Sequence, residues 1–379
     1  MRLSIRIDIV IYFYLLACFI FMLFNYVYII HAKRKKSDKK HKMKQWMNEI
    51  QDQFNWISEL GALQPQHVRR LLRKLAKPET LIDYSNALDI LKRKYPEAVT
   101  GYIGAGYDLY QKLAKKYKTK DRMERTYYAS FISRFLPGAS IQNDKNTLLL
   151  DTLTSYLGDS DVYCRENTLR ALYALGNLQA VENALQMIND RGWFHHCELI
   201  SDGLASFTGD KEALAAVLWD KYKKWDDYLM LAVVQFIMTF SPNYRKAFLP
   251  VLQDSSANLE IRLAIIRYYK RYIYKPVQHI LIQYLNDDGI IDENLMIAAA
   301  FVLGSYPGNS TVEALIHSLS SSNWHIRNNA ASALIAMETP ETVLRGILQG
   351  DDKYASDMLL YKMEQDVYTY TDSNIEKLA

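Results

Sequence analysis

The hydrophobic pattern of the chain begins with a long uncharged run. Residues 9–32 contain no Asp, Glu, Lys or Arg, and as a helix they would cover roughly 36 Å at about 1.5 Å per residue. A hydrocarbon core is about 30 Å thick, so the run can cross a bilayer with some tilt. The alternative is a cleavable signal peptide, whose apolar region would be shorter and followed by an A-x-A-like site. Here a run of cations follows the apolar residues instead. We therefore predict a retained transmembrane anchor over residues 1–32.

Residues 45–144 show the apolar spacing of short amphipathic helices. In residues 66–77, apolar side chains recur at i, i+3, i+4 and i+7 between Arg and Lys, at Val68, Leu71, Leu72 and Leu75. This stripe could lie on the membrane beside the anchor or pack against neighbouring helices. Further helices are predicted over 82–94, 107–117 and 123–135, and the glycine-rich segment 101–106 is predicted to be a turn. We expect residues 45–144 to form a helical cap or subdomain.

Residues 145–365 contain a repeating pattern. Asp161–Leu175 matches Asn323–Met337 at an offset of 162 residues, and intermediate copies divide this offset into five steps of 32 or 33 residues. The marker positions are Arg165, Glu198, Met230, Arg262, Asn294 and Arg327. Six residues beyond each marker stands an apolar or aromatic residue that we expect to be buried: Ala171, Leu204, Phe236, Tyr268, Ala300 and Ala333. Asp and Asn in the intervening turns are suited to capping the next helix.

One motif of this repeat resembles a known family. The pattern D/N-x-x-x-R-x-x-A-x-x-A-L is complete at Asn323–Leu334 and has Thr168 in place of the first Ala at Asp161–Leu172. It resembles the HEAT family, in particular the short HEAT-like type of bilin-lyase-related proteins. The resemblance implies an all-α fold in which residues 145–365 form a HEAT-like α-solenoid, a right-handed superhelix of helix pairs, followed by a polar tail over 366–379.

The resemblance also assigns a role to three arginines. In the family, an arginine of the second helix of each pair is tied to a turn of the adjacent repeat. Arg165, Arg262 and Arg327 stand at this position, whereas Glu198, Met230 and Asn294 depart from it. A regular ladder of arginine contacts along the whole array is therefore not expected.

Charge is distributed unevenly along the chain. Residues 1–44 carry ten Lys/Arg against two Asp/Glu, residues 45–140 sixteen against ten, and residues 141–379 twenty against thirty. A basic juxtamembrane segment, residues 33–44, follows the anchor with eight cations: Lys33, Arg34, Lys35, Lys36, Lys39, Lys40, Lys42 and Lys44. The positive-inside rule then predicts a single-pass protein of the cell membrane, with a short outer N-terminus and a cytoplasmic body. The same cations would attract anionic lipid headgroups.

The search for chemistry gives little that points to an enzyme. His195-His196-Cys197-Glu198 is the one local cluster that suggests a metal, but it lacks the i, i+4 histidine pair that a helix uses to bind zinc. Three cysteines lack a CxxC signature, and no nucleophile elbow is present. We therefore predict no catalytic, cofactor-binding or metal-binding residues.

These patterns favour a non-enzymatic scaffold or regulatory subunit that binds a membrane protein or membrane-associated complex. The HEAT-like resemblance, together with one N-terminal anchor, implies a role as an accessory subunit of a bacterial membrane machine, such as a polysaccharide-synthesising glycosyltransferase. The Lys/Ile/Tyr-rich composition is compatible with a bacterial source. One alternative is a lyase or chromophore-handling enzyme subunit, which needs a large apolar pocket. The other is a nucleic-acid binder, which the acidic body disfavours because phosphate binding needs a basic surface.

Overall fold

The computed structural model describes residues 7–138, 147–158, 161–287 and 291–376, which are helical and contain no β-strand. Its helices are α1 (Ile7–Leu60), α2 (Pro65–Lys74), α3 (Pro78–Lys94), α4 (Pro96–Ala105), α5 (Tyr107–Lys118), α6 (Arg122–Phe135), α7 (Thr147–Thr154), α8 (Val162–Leu175), α9 (Leu178–Asp190), α10 (Cys197–Ala205), α11 (Lys211–Asp220), α12 (Asp227–Phe240), α13 (Leu249–Gln253), α14 (Leu259–Arg271), α15 (Val277–Leu285), α16 (Glu293–Leu303), α17 (Asn309–Ser318), α18 (Trp324–Ala336), α19 (Glu341–Leu348) and α20 (Lys353–Glu376). The predicted all-α class is confirmed. The predicted boundary between residues 144 and 145 lies outside the described residues.

The prediction of a turn over residues 101–106 is wrong. Residues 101–105 form the second half of α4, which ends at Ala105 and has Gly106 as its C-cap. Pro96 occupies the first turn, where its missing N–H is no loss. Val99, Tyr102 and Ile103 are buried on one side of the helix. Burial of this apolar face outweighs the helix penalty of a glycine, which is about 1 kcal/mol per residue.

Helix α1 is one unbroken helix of 54 residues. Its part Ile11–His31 has a mean hydropathy of 2.2, and none of its most apolar window is buried. The helix continues through the basic segment and ends in the body, where Trp46, Ile50 and Gln53 are buried. The predicted anchor, the basic segment and the start of the body therefore share one continuous element.

The chain divides into two compact units. Unit 1 comprises Met1–Ala184 and Phe207–Gly209, and unit 2 comprises Leu185–Ser206 and Asp210–Ala379. In unit 1, α3 and α4 pack on α1, α6 packs on α3 and α8, and α5 packs on α2 and α6. The ring of Trp46 on α1 meets the ring of Tyr84 on α3, with centroids 5.4 Å apart.

Unit 2 has a regular order of contacts. The helices α10, α12, α14, α16, α18 and α20 each pack against the next member of this series. Each of α11, α13, α15, α17 and α19 packs against the helix that follows it. Unit 2 is therefore a succession of helix pairs in which one member of every pair belongs to a continuous row.

Asp or Asn side chains begin four helices of this row, as the sequence predicts. The side chains of Asp226, Asn258, Asp292 and Asn323 accept a hydrogen bond from a backbone N–H in the first turn of α12, α14, α16 and α18. Two of these caps also join neighbouring helices. Asn258 Nδ2 donates to Asp227 Oδ2 at 2.9 Å, and Asn323 Nδ2 donates to Glu293 Oε2 at 2.7 Å.

The burial expected from the repeat register is confirmed. The side chains of Ala171, Leu204, Phe236, Tyr268, Ala300 and Ala333 are all buried. They lie on α8, α10, α12, α14, α16 and α18 in turn. At the end of α16, a Cβ added to Gly304 would lie 3.2 Å from Cα and Cβ of Ala333, so α16 and α18 approach closely here.

Candidate functional site

The basic segment after the apolar run is presented to solvent along α1. The side chains of Lys33, Lys39, Lys40, Lys42 and Lys44 are exposed, and the side chains of Arg34, Lys35 and Lys36 lie outside the described part of the chain. One helix of the described residues is long and apolar enough to cross a membrane, by length and composition, and a signal sequence meets the same criteria.

The apolar stripe of residues 66–77 packs against protein. Leu71 and Leu75 are fully buried, whereas Val68 and Leu72 are half-buried. The Oη of Tyr117 on α5 donates to the carbonyl oxygen of Leu75 at 2.8 Å. The central residues of this stripe therefore pack against neighbouring helices, which is one of the two alternatives predicted for it. The cations of α2 lie on the outer side.

Arg262 is buried in unit 2, where its guanidinium donates to a carbonyl and to a hydroxyl. Its Nε donates to the carbonyl oxygen of Leu252 at 3.2 Å, and its Nη2 donates to Tyr284 Oη at 3.2 Å. Its guanidinium carbon also lies 5.7 Å from the centre of the Tyr284 ring. Leu252 belongs to α13, the partner of α14, whereas Tyr284 belongs to α15 of the next helix pair.

Arg327 repeats part of this arrangement on α18. Its Nη1 donates to the carbonyl oxygens of Ser321 and Ser322 at 2.6 and 2.9 Å, and its guanidinium lies over the ring of Tyr354 on α20. Arg165 is half-buried on α8, and burial lowers its pKa while Asp161 opposes the change. Arg262 and Arg327 thus donate to carbonyls of their own helix pair, and Arg262 also donates to Tyr284 of the next pair, whereas the family contact is expected to reach a turn of the adjacent repeat. A tyrosine of the next pair supplies the contact between pairs.

The residues of the His195–Glu198 cluster have different structural roles. His195 is buried, while the Nδ1 of His196 accepts a hydrogen bond from the backbone N–H of Glu198 at 3.4 Å and caps α10. Within the described ranges, no group of three or more His, Cys, Asp or Glu could hold a metal ion.

A cluster of buried polar side chains lies in unit 1 and has no counterpart among the sequence predictions. His67 Nε2 shares a hydrogen bond of 2.8 Å with Tyr102 Oη, which lies 3.2 Å from Tyr84 Oη. Tyr84 Oη lies 2.9 Å from Tyr110 Oη. Burial raises the pKa of Tyr84 and Tyr102 well above its ordinary value and lowers the pKa of His67 to about 4. All four groups are therefore neutral near pH 7, and they join α2, α3, α4 and α5 from inside.

Exposed aromatic side chains mark the starts of helices in the continuous row of unit 2. Tyr228, Trp324 and Tyr354 lie in the first turns of α12, α18 and α20 and are 55%, 48% and 71% exposed. Phe194, just before α10, meets Tyr228 with ring centroids 5.1 Å apart. Glu260 and Asn294 take the place of an aromatic in the first turns of α14 and α16. We call the contacting rings of Phe194 and Tyr228, and the exposed rings of Trp324 and Tyr354 on the neighbouring helices α18 and α20, the two aromatic patches.

The four tyrosines of residues 268–274 divide between full and partial burial. Tyr268 and Tyr269 are fully buried, whereas Tyr272 and Tyr274 are half-buried. The exposed patches escaped sequence reasoning because tyrosine content alone does not separate core from surface. A usable signal was their position, since Tyr228 and Trp324 follow the capping residues Asp226 and Asn323 by one or two residues.

Two cavities accompany these surfaces. One of about 150 Å³ in unit 1 is lined by Val99, Ile103 and Tyr107 among others, and so lies apart from the His67 cluster. One of about 450 Å³ in unit 2 is lined by Leu285 and Met296 but also by Asp287, His317 and four serines. Neither lining resembles the large apolar pocket that a chromophore-handling subunit requires.

No protein-family model matches this chain, and no curated protein sequence matches it significantly.

Proposed function

We propose that this chain is a membrane-tethered, non-enzymatic scaffold or regulatory subunit that binds a protein partner at the cytoplasmic face of the cell membrane. In this proposal α1 is a retained anchor, and the body is a HEAT-like solenoid that presents the row of α10 to α20. The partner is a membrane protein or a complex attached to one. An accessory subunit of a membrane enzyme, such as a polysaccharide-synthesising glycosyltransferase, is one form of this role.

The observation that carries the proposal is the pair of exposed aromatic patches on a row of packed helices. Tyrosine, tryptophan and phenylalanine are enriched at protein interfaces because they bury a large apolar area with few rotamers to immobilise. Each of Phe194, Tyr228, Trp324 and Tyr354 is about half exposed or more. Repeat proteins typically bind other macromolecules along such extended surfaces.

The link to the membrane rests on α1. Its apolar part and the buried Trp46 and Ile50 belong to the same helix, so an anchored chain would hold unit 1 beside the bilayer. A tethered binding surface meets membrane partners at a raised effective concentration, so a weak interface can be well occupied.

Photo-crosslinking in native membranes tests this function. A photoreactive amino acid replaces Tyr228 in one version of the full chain and His279, which is exposed on α15, in a matched control. We expect the Tyr228 position to give a discrete product with an integral membrane protein and the His279 position to give none. Products with nucleic acid, with soluble proteins alone, or equally from both positions would contradict the proposal.

A further inference from the structure

Two segments of unit 1 that are distant in sequence carry much of its positive charge. Residues 66–79 contain five Lys/Arg and one acidic residue, and residues 112–125 contain seven against two. The segments meet in the fold, because Lys116 Nζ donates to the carbonyl oxygen of Leu72 at 3.1 Å and Tyr117 Oη donates to that of Leu75. The C-terminal ends of α2 and α5 therefore lie side by side.

The direction of these helices follows from their contacts with α1. The rings of Trp46 and Tyr84 lie 5.4 Å apart, and those of Phe54 and Tyr95 lie 6.2 Å apart. Both helices advance between these two contacts, so α3 runs in the same direction as α1, away from the apolar run. The start of α3, directly after α2, therefore lies on the side of unit 1 that faces the apolar run.

Helix α6 runs in the same direction as α3. The ring of Tyr84 lies 6.0 Å from that of Phe131, and farther along both helices Asp89 forms an ion pair with Arg134. The first turn of α6 therefore also lies on the side of the apolar run.

Helix α5 runs opposite to α6 and ends at that first turn. The rings of Tyr110 and Phe131 are 5.2 Å apart, and Lys120 Nζ, just beyond the end of α5, lies 2.8 Å from Glu124 Oε1. The end of α5 thus points towards the apolar run, together with the end of α2.

The spacing along the helices sets the height of this surface. Glu124 precedes Phe131 by seven residues, so it lies roughly 10 Å nearer the apolar run than Phe131, Tyr84 and Trp46. A step of seven residues along α1 leads from Trp46 to about residue 39, so Glu124 lies at about the height of residue 39. Residue 39 is roughly 12 Å from His31, where the apolar run ends. The headgroup layer occupies about 5–8 Å of this distance. The remaining gap is shorter than the Debye length of about 8 Å at physiological salt.

We propose that exposed cations at the ends of α2 and α5 bind the anionic headgroups of the membrane leaflet beside α1. We call Arg73, Lys77, Lys115 and Lys118, all exposed, the α2–α5 basic surface. The proposal rests on the anchoring role of α1 and adds a second contact with the same bilayer. Unit 1 would then be held at the membrane by its surface as well as by its helix.

Acidic neighbours leave this charge largely uncompensated. Glu49 is occupied by Arg70 and Lys74, at 3.6 and 3.3 Å, and Glu124 is occupied by Lys120. Asp121 caps α6, and Asp161 lies 4.0 Å from Arg122. Glu49, Glu124 and Asp161 thus pair with other cations, and Glu79 in the first turn of α3 is the remaining acidic residue of the two segments. The four cations of the α2–α5 basic surface therefore keep a net positive charge that is available to phosphate groups.

Lysine acylation of the full chain in nanodiscs tests the proposal. One set of discs contains phosphatidylcholine alone and the other contains added phosphatidylglycerol, and mass spectrometry follows a neutral acylating reagent at each lysine. A surface potential of about −30 mV concentrates protons about threefold, which slows acylation in proportion because only the free amine reacts. We expect about threefold slower acylation of Lys115 and Lys118 in anionic discs. Lys92 and Lys94, at the far end of α3, should react equally in both.

Lys33 and Lys39 on α1 distinguish failure of the anchoring by α1 from failure of the lipid contact made by the α2–α5 basic surface. If they slow in anionic discs while Lys115 and Lys118 react like Lys94, the α2–α5 basic surface does not reach the lipid, and only the anchoring stands. If no lysine slows, the anchoring itself fails and the surface contact fails with it.

A charge-removal variant adds an independent readout. K115Q/K118Q should reduce the protection of Lys77 in anionic discs, because two of the four cations that hold the surface down are lost. K92Q/K94Q removes the same charge at the opposite end of α3 and should leave Lys77 protected. Equal protection of Lys77 in both variants would overturn the α2–α5 basic surface.

Discussion

Arg262 on α14 and Tyr284 on α15 converge on one backbone oxygen, the carbonyl of Leu252 on α13. Arg262 Nε donates to it at 3.2 Å and Tyr284 Oη at 2.8 Å, while Arg262 Nη2 donates to Tyr284 Oη. One buried charge thus joins a helix, its partner helix and the first helix of the following pair.

Removing either partner of this cluster should destabilise unit 2. R262M leaves the Leu252 carbonyl with one donor fewer and should cost about 1.5–3 kcal/mol, the range for a hydrogen bond that involves a charged group. Y284F removes a neutral hydroxyl and should cost about 1–2 kcal/mol. Denaturant unfolding of the full chain in detergent, followed by circular dichroism, measures both effects.

Arg327 supplies the matched control for this experiment. It makes similar contacts, but it is only half-buried and its tyrosine is 71% exposed. R327M should therefore cost clearly less than R262M. Equal costs would show that burial does not set the strength of the arginine contacts.

A charge introduced at Ala333 tests the register of the buried row. Ala333 is 3% exposed and lies against Gly304 of α16, so A333D should destabilise by several kcal/mol, since an unpaired buried charge is costly. A336D places the same charge at an exposed position of α18 and should cost less than about 1 kcal/mol. If both variants melt at the temperature of the unmodified chain, Ala333 does not belong to the core.

Protonation of His67 should weaken unit 1 at acid pH. Burial lowers its folded pKa to about 4 from the ordinary histidine value of 6.5. The unfolded chain therefore binds this proton more tightly, and stability present above pH 6.5 is lost as the pH falls towards 4. One pKa unit corresponds to about 1.4 kcal/mol, so the loss between pH 7 and pH 5 is on the order of 2 kcal/mol.

The substitution H67Q should flatten this pH dependence, because glutamine can meet Tyr102 without titrating in this range. Thermal melts at pH 7 and pH 5 measure the effect, with H279Q as the control at an exposed histidine. An unchanged pH dependence in H67Q would assign the acid sensitivity to other groups.

The membrane anchor predicts a simple fractionation result. A C-terminal reporter that functions only in the cytoplasm should be active, and the full-length fusion should stay in the membrane pellet after alkaline carbonate washing. A processed, soluble product outside the cell would instead identify the apolar run as a signal sequence.

Sequence periodicity predicted the parts of the fold that depend on local pattern. The all-α class, the capping roles of Asp and Asn, and the burial of Tyr268 and Ala333 follow from apolar spacing and from the free N–H groups of a first turn. The solenoid and its HEAT-like character remain predictions.

Other features depend on tertiary contacts and could not be predicted from local pattern. Gly104 and its neighbours are helical because Tyr102 and Ile103 are buried against other elements. His67 belongs to no sequence motif, and only the fold brings it within 2.8 Å of Tyr102, which is 35 residues away. The exposure of Tyr228 and Trp324 likewise depends on which face of each helix its neighbours cover.

Co-isolation from native membranes tests the central claim most directly. The full chain is extracted in mild detergent, and native mass spectrometry records its assemblies. We predict a complex of fixed stoichiometry with a second polypeptide that has its own membrane spans, present in H279A and strongly reduced in Y228A/W324A. Recovery of the chain alone or only with copies of itself, or an undiminished complex in Y228A/W324A, would contradict a scaffold that binds a membrane partner through the aromatic patches.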